Sequence, residues 1–355
     1  MKQRIEALRI SLAASSLDAA LITSKENIRY YSGFTSSDGI FLVTLKNTYL
    51  VTDFRYMIQA KAQTKGLCEV VEAGFSDQLD RIRGFLAADG CKRAAFEDGV
   101  MTVSEFHAYQ AMPVEWVAFG DAISLPRLHK SKEEIENLQA AQRIADKSFL
   151  EWLGRISAGM TELEATAELN YVCAKNGSEA PSFDPIIAGG PNGAMPHAVP
   201  GERKLQKGDL VVADFGCMVN GYHSDMTRTF AIGNVDEQSK EIYQIVQTAQ
   251  QMALDALTNG VSGKALDAVA RDYIAAKGYG AQFGHGLGHG FGLQIHEPPR
   301  ASFTSIDTLT SGMTITVEPG IYLDGKCGVR IEDCCVVTDD GYLNFVGLTK
   351  ELITI

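Results

Sequence analysis

Apolar residues in the first third of the chain alternate between helical and strand-like spacing. Ile5, Leu8 and Leu12 recur at the interval of one helix face. Short apolar runs between polar residues indicate strands, and longer amphipathic stretches indicate helices. The predicted helices are 2–14, 57–64, 79–87 and 104–112, and the predicted strands are 18–23, 40–44, 48–52, 69–72, 93–96 and 114–119. This alternation predicts an α/β domain that ends near residue 125.

A second domain is predicted over residues 126–355, because a chain of 355 residues is too long for one typical domain. Ser131 can cap a long helix whose first turn carries Glu133 and Glu134. We expect that helix to run to about Leu153.

The second domain contains an internal repeat. Segments 159–177 and 260–278 each open with glycine and a Thr or Ser that can cap a helix, and each closes with Tyr, Lys and a final Gly. A His-x-x-Pro motif follows each segment, at His197 and His296. Two units of about 100 residues are too long for a solenoid, so we predict a pseudo-twofold domain whose halves meet at a shared centre.

Each half of the repeat also carries two carboxylates. Asp214 and Glu318 end otherwise apolar strands, six residues past one glycine and two residues before another. Asp225 and Glu332 follow at a spacing that suits a hairpin with neighbouring side chains. A lone charge in such a position is costly to bury unless it is paired or bound to metal. We therefore expect the four carboxylates to converge.

Three of the seven histidines, His285, His289 and His296, lie inside one glycine-rich stretch of twelve residues. Glycine lets the backbone pass close to whatever the imidazoles face. Taken alone, such a stretch is more often a surface turn or a set of hydrogen-bonded core histidines. Beside four carboxylates it indicates a metal, proton transfer or both.

Four buried carboxylates stay ionised at pH 7 only if cations neutralise them, and two divalent ions fit their number. One imidazole among oxygen ligands suits Mn²⁺, Co²⁺, Fe²⁺ or Zn²⁺ better than Ca²⁺. Paired ions hold a shared water, convert it to hydroxide and polarise the carbonyl that it attacks. The arrangement therefore predicts hydrolysis.

Composition excludes several classes of partner. The formal charge of −12 argues against nucleic acid and against an anionic membrane. We find neither a long apolar run nor a signal peptide at the start, so we expect a cytoplasmic protein. The seven cysteines are scattered and form no CxxC pair, which indicates neither a disulfide framework nor a thiolate zinc site.

In order and context, one set of residues resembles the "pita-bread" metallopeptidases of family M24, which include methionine aminopeptidase, aminopeptidase P and prolidase. The set is Asp214, Asp225, His289, Glu318 and Glu332. Segments 27–34 and 52–56 are similar to the creatinase-like N-terminal domain of the proline-specific branch, which methionine aminopeptidases lack. The resemblance extends over nearly the whole chain. It implies a creatinase-like α/β domain at 1–125, a pita-bread catalytic domain at 126–355 and a homodimer.

The resemblance also implies a role for each ligand. Asp225 and Glu332 would bridge two divalent ions, with Mn²⁺ expected first and Co²⁺ or Zn²⁺ as alternatives. Asp214 would bind one ion, while His289 and Glu318 would bind the other. Glu318 would also shuttle a proton.

Further residues match the family pattern around the ligands. His197 and His296 match histidines that bind the substrate and the reaction intermediate, and His285 matches another histidine near the substrate. Thr227 and Arg330 match residues that hold the ligand carboxylates in place.

The implied substrate is a peptide with proline in second position, cut at the Xaa-Pro bond. That bond lacks the N–H that ordinary peptidases bind, so a dedicated pocket is needed. Phe183, Ile187 and Tyr222 are candidates for its walls. Arg300 can pair with the free carboxylate of a dipeptide, which favours a dipeptidase, although an arginine after a Pro-Pro turn is more often only solvated.

Other functions remain open at this point. A creatinase-like amidinohydrolase shares the two-domain plan but works without metal, and a non-catalytic binding module on the same fold would have lost ligands. All five ligand positions are filled here, which disfavours both. The choice between dipeptidase and aminopeptidase P is not decided by the sequence.

Overall fold

The computed structural model describes residues 1–36 and 38–355. The chain divides into two compact units, Met1–Arg127 and Leu128–Ile355. The boundary that we expect from the sequence, near residue 125, lies close to this division.

The N-terminal unit is a mixed sheet covered by helices. Its helices are α1 (Lys2–Ala14), α2 (Lys25–Ser32), α3 (Met57–Thr64), α4 (Gln78–Asp89), α5 (Val103–Gln110) and α6 (Gly120–Ser124). Its strands are β1 (Ala19–Ile22), β2 (Ile40–Thr44), β3 (Thr48–Thr52), β4 (Glu69–Glu72), β5 (Arg93–Phe96) and β6 (Glu115–Ala118). The strand order is β4-β3-β2-β1-β5-β6, with β1 parallel to β5 and antiparallel to β2. The predicted α/β class is confirmed.

Helix α2 is an element that the sequence analysis missed. Ser24 caps it by accepting a hydrogen bond from the Asn27 backbone N–H, and Gly33 ends it in the left-handed conformation with φ of 78°. The Asn27 side chain then donates to the buried carboxylate of Glu97 at 2.6 Å. Segment 27–34 therefore has a structural role, because it ties α2 to the end of β5.

The C-terminal unit contains longer helices and several small sheets. Its helices are α7 (Lys132–Leu153), α8 (Glu162–Lys175), α9 (Glu237–Ala256) and α10 (Gly263–Ala276). Its strands are β7 (Ile186–Gly189), β8 (Leu210–Phe215), β9 (Met218–Val219), β10 (Tyr222–His223), β11 (Met226–Ala231), β12 (Gly288–Gly290), β13 (Glu297–Ala301), β14 (Thr314–Val317), β15 (Gly320–Leu323), β16 (Cys327–Arg330), β17 (Asp333–Thr338) and β18 (Gly341–Asn344). Ser131 caps α7 as predicted, in a reciprocal capping box with Glu134.

The predicted repeat appears in the backbone pairing. Thr161 caps α8 and Ser262 caps α10. Just before these caps, the Gly159 N–H donates to the Leu205 carbonyl at 2.8 Å, and the Gly260 N–H donates to the carbonyl of Leu309 at 2.8 Å. Equivalent positions thus make equivalent hydrogen bonds.

Each half packs helices against one antiparallel sheet. In the first half the aromatic rings of Phe149 and Trp152 in α7 pack on Phe230 in β11. In the second half α9 and α10 share one buried apolar cluster with β14 and β17. These two sheets carry the candidate site. Within the described residues, no helix is long and apolar enough to cross a membrane.

Candidate active site and metal centre

Two antiparallel hairpins carry the four candidate carboxylates. Asp214 lies in β8 directly opposite Thr227 in β11, and Asp225 immediately precedes β11. Glu318 immediately follows β14, and Glu332 immediately precedes its partner strand β17. The repeat therefore places one carboxylate at the end of each of four paired strands.

His289 reaches these carboxylates from β12. Its Nε2 lies 3.6 Å from Asp225 Oδ2 and 3.5 Å from Glu318 Oε1. Ligand atoms of Asp225, His289 and Glu332 all lie within 4.8 Å of one another, and the three residues are buried. Ligand atoms on opposite sides of one metal ion are roughly 4 Å apart. The three groups are thus spaced to enclose a cation.

Glycine is required where β12 crosses β14. A Cβ on Gly288 would lie 1.8 Å from the Thr316 carbonyl oxygen, so any other residue would push the two strands apart. The same close approach lets the Thr316 hydroxyl accept from the His289 backbone N–H at 3.1 Å. The glycine-rich stretch therefore brings the imidazole to the carboxylates.

The hydrogen bond at the other ring nitrogen fixes the state of His289. Nδ1 lies 3.0 Å from the Gly290 carbonyl oxygen, which can only accept, so Nδ1 carries the proton. Nε2 then presents a lone pair to the carboxylates. Burial, followed by the neighbouring His296, lowers the pKa of His289 to about 3, so the ring stays neutral. A lone pair facing carboxylate oxygens is repulsive unless a cation or a proton lies between them.

The carboxylates perturb one another strongly. Burial, followed by the charge of Asp214, raises the pKa of Asp225 well above its usual value. Burial and the charge of Asp225 do the same for Glu332. Burial raises the pKa of Glu318 to about 8, although Arg330 opposes the shift. The raised pKa values favour the protonated carboxyl groups, and a bound cation would favour the ionised ones.

Arg330 and Thr227 hold two of the carboxylates. An Arg330 guanidinium nitrogen donates to Asp214 Oδ2 at 2.6 Å, and its Nε donates to the Thr227 hydroxyl at 3.1 Å. That hydroxyl donates to Glu332 Oε2 at 2.7 Å. Asp214 Oδ1 is buried and accepts no hydrogen bond from any described residue. A buried carboxylate oxygen without a donor is costly, and so the donor set fits the divalent ions that the sequence implies.

A cavity of about 620 Å³ opens onto this cluster and is formed within the C-terminal unit. All five candidate ligands and Arg330 line it, and so do the candidates Phe183, His197, His285, His296 and Arg300. Along β13 buried and exposed residues alternate, which leaves Arg300 exposed, and His296 is exposed in the bend just before this strand. The structure therefore brings eleven of the fourteen candidate residues together around one cavity.

Tyr322 is a site residue that the sequence analysis missed. Arg330 donates to its hydroxyl oxygen at 2.9 Å, and the hydroxyl lies 2.9 Å from His285 Nε2. The other nitrogen of His285 lies 2.8 Å from the Gly286 carbonyl oxygen, so both ring nitrogens are engaged. Burial lowers the pKa of His285 to about 4. No spacing in the sequence marks this residue, because Glu318 lies between β14 and β15 while Tyr322 lies within β15.

Three candidates lie away from the cavity wall. Tyr222 donates its hydroxyl to Glu134 Oε1 at 3.0 Å and so links β10 to α7. Ile187 is fully buried in β7. Thr227 is also fully buried and lies behind the carboxylates. None of the three is among the described residues that line the cavity.

Comparison with known proteins adds to this geometry. The model of metallopeptidase family M24 matches residues 136–339, and the creatinase/prolidase N-terminal domain model matches residues 4–129. The chain is 36% identical over 357 residues to a Xaa-Pro dipeptidase of Pyrococcus furiosus, with 99% of this chain and 100% of the relative covered. A solved Xaa-Pro dipeptidase from Bacillus anthracis superposes with a TM-score of 0.95 at 39% identity, covering 99% of each chain. An X-Pro aminopeptidase from Thermotoga maritima gives 0.91 at 37% identity, covering 96% of this chain and 98% of the other.

Proposed function

The chain belongs to metallopeptidase family M24, and on that basis we propose that it hydrolyses the bond between an N-terminal residue and a following proline. It is a hydrolase of the peptidase class. One observation carries the proposal: five candidate metal ligands and three histidines line a single cavity.

The metal ions of the family would be held by Asp214, Asp225, His289, Glu318 and Glu332. Two divalent ions per chain match this set, with Mn²⁺ expected first and Co²⁺ or Zn²⁺ as alternatives. When bound, such ions polarise a substrate carbonyl and lower the pKa of the attacking water.

Side chains of this protein would carry out the proton transfer and stabilise the oxyanion. Glu318 lies on the cavity wall, and the Thr316 hydroxyl donates to it at 3.3 Å. Its carboxylate can accept a proton and return it to the leaving amine. His197 and His296 face the same cavity and can donate to the oxyanion that forms on the attacked carbonyl. His285 uses both nitrogens within the protein, so we assign it to shaping the wall.

An Xaa-Pro bond offers the enzyme no N–H, so apolar contact must select the proline ring. Phe183, Pro196 and Pro200 supply such contact within the cavity lining. Arg300 lies on the same lining and favours a substrate that ends in a carboxylate shortly after proline, which is a dipeptide.

The test is hydrolysis of an Xaa-Pro dipeptide beside an Xaa-Pro tripeptide, with and without Mn²⁺ after chelation. An Xaa-Ala dipeptide serves as the control substrate. Metal-dependent cleavage of the dipeptide alone supports a dipeptidase, and preference for the tripeptide supports an aminopeptidase P. No cleavage of either peptide with any of the three metals would refute the proposal.

We also propose that the protein is a homodimer and that it is located in the cytoplasm. The net charge of −12 is compatible with a cytoplasmic protein that binds neither nucleic acid nor an anionic membrane. Sedimentation of the purified protein and fractionation of the source cells would test the two statements separately.

A further inference from the structure

A buried ion pair lies behind the loop that carries His296, between β12 and β13. Lys130 Nζ donates to Glu297 Oε1 at 2.6 Å, and the two side chains are only 2% and 4% exposed. Neither residue is among the described residues that line the cavity. A pair this deeply buried must be well matched, since taking two charges out of water is expensive.

Glu297 is the immediate neighbour of His296. His296 lies in the bend immediately before β13 and lines the cavity, whereas Glu297, the first residue of β13, is buried and does not line it. The two residues share one peptide bond, so a shift of the backbone at Glu297 also moves the backbone of His296. Whatever holds the Glu297 carboxylate therefore also helps to position His296.

Lys130 is itself fixed to the sheet of the second half. Its backbone N–H donates to the Gly312 carbonyl at 2.8 Å, in the turn that precedes β14. Its ammonium group also lies 3.5 Å from the Leu128 carbonyl oxygen. The cation therefore has a fixed position from which to hold Glu297.

The loop between β12 and β13 rests directly on the pair. A Cβ on Gly292 would lie 2.6 Å from Glu297 Oε1 and 3.0 Å from Lys130 Cε. The Gly292 carbonyl in turn accepts from the His223 backbone N–H at 2.9 Å. A shift of the pair would move this loop, and His296 is its last residue.

From these contacts we infer that Lys130 and Glu297 are positioning residues for His296 in the hydrolysis proposed above. The inference rests on that proposed function, because the orientation of His296 matters only if His296 meets the substrate. Loss of either charge removes the 2.6 Å ion-pair hydrogen bond from the other buried group. The loop then shifts to let water reach the remaining charge, and His296 loses its fixed direction.

The test combines Lys130→Met with His296→Ala in a double-mutant cycle. With Mn²⁺ and an Xaa-Pro dipeptide, Lys130→Met alone should lower kcat by about 10–100-fold, as expected for a group that orients a site residue. In the His296→Ala background the same change should have little further effect on kcat, because the residue that it positions is gone. Equal losses in both backgrounds, or full kcat in a folded Lys130→Met protein, would overturn the inference.

A second variant keeps the test decisive if Lys130→Met does not fold. Glu297→Gln keeps the side-chain volume and an oxygen that can accept from Lys130, and its cycle with His296→Ala is interpreted in the same way. Arg203→Met is the matched control, since it breaks the Arg203–Asp209 pair of 2.8 Å in the same unit. It should lower Tm while leaving kcat unchanged.

The two proposals fail in different ways. A wild-type protein that cleaves no Xaa-Pro peptide removes the proposed function and the inference with it. An active wild-type protein with an additive cycle removes the positioning role alone.

Discussion

Replacing Thr227 with valine tests whether the hydroxyl behind the metal centre sets its affinity. The side chain is fully buried, accepts from Arg330 Nε at 3.1 Å and donates to Glu332 Oε2 at 2.7 Å. Valine fills nearly the same volume but leaves both charged groups short of one partner. Each orphaned buried group costs about 1–3 kcal/mol, so the free energy of unfolding should fall by roughly 2–6 kcal/mol. The smaller fall in the free energy of unfolding is expected if Glu332 takes up a proton and so loses its buried charge.

The same substitution should weaken metal binding at neutral pH. The Thr227 hydrogen bond favours the ionised carboxylate, and its loss raises the pKa of Glu332 further above a value that burial and Asp225 already raise. A carboxylate must lose its proton to bind a cation, so the Mn²⁺-binding curve should move to higher pH. At pH 7 the affinity should drop by about 10–100-fold.

The assay is Mn²⁺ titration of the metal-free protein at several pH values, with urea unfolding measured in parallel. Thr227→Ser keeps the hydroxyl and should bind Mn²⁺ almost as the wild type does. Thr229→Val is the matched control two residues along β11, because among the described residues the Thr229 hydroxyl bonds only backbone atoms of Arg330, at 2.9 and 3.1 Å. It should lose stability with a smaller loss of affinity. Unchanged Mn²⁺ affinity in Thr227→Val would refute the reasoning.

Three further predictions concern the cavity. Glu332→Ala should abolish metal binding and hydrolysis together, and an active variant without metal would contradict the metal centre. Arg300→Ala should reduce cleavage of an Xaa-Pro dipeptide far more than cleavage of a longer Xaa-Pro peptide. Equal losses would show that Arg300 does not bind the C-terminal carboxylate of the dipeptide. His285 has a folded-state pKa of about 4 against a usual 6.5, so the unfolded chain binds more protons between these values. The metal-free protein should therefore lose stability as pH falls from 6.5 towards 4, and His285→Gln should show a shallower fall in urea unfolding.

The elements of the fold were largely predictable because their signals are local. Helix α7 begins and ends where Ser131 and the apolar period indicate. Helix α2 was missed because it is only eight residues long and contains two adjacent tyrosines, which favour strands. The mixed α/β class and the metallopeptidase family are both confirmed.

The site could be outlined because the repeat marks equivalent positions in the two halves. Contacts between residues that are far apart in the chain have no comparable signal in the sequence. Tyr322 meets His285 across 37 residues of chain, and Lys130 meets Glu297 across 167. Tyr222 lies within a motif close to Asp225, yet its strand β10 turns the ring towards α7. The direction in which a two-residue strand points its side chains depends on packing rather than on spacing.

The carboxylates come in equal numbers from the two halves of the repeat, with Asp214 and Asp225 on one hairpin and Glu318 and Glu332 on the other. The proposed ligand set draws on both halves, and so bound ions would act as a reversible cross-link between the halves. Such a cross-link would strengthen with metal concentration, because free metal at 100 times its dissociation constant adds about 2.7 kcal/mol to the folded state. The thermal stability of the C-terminal unit would then depend on the metal concentration around the protein, and a lack of metal would leave the chain both inactive and easier to degrade.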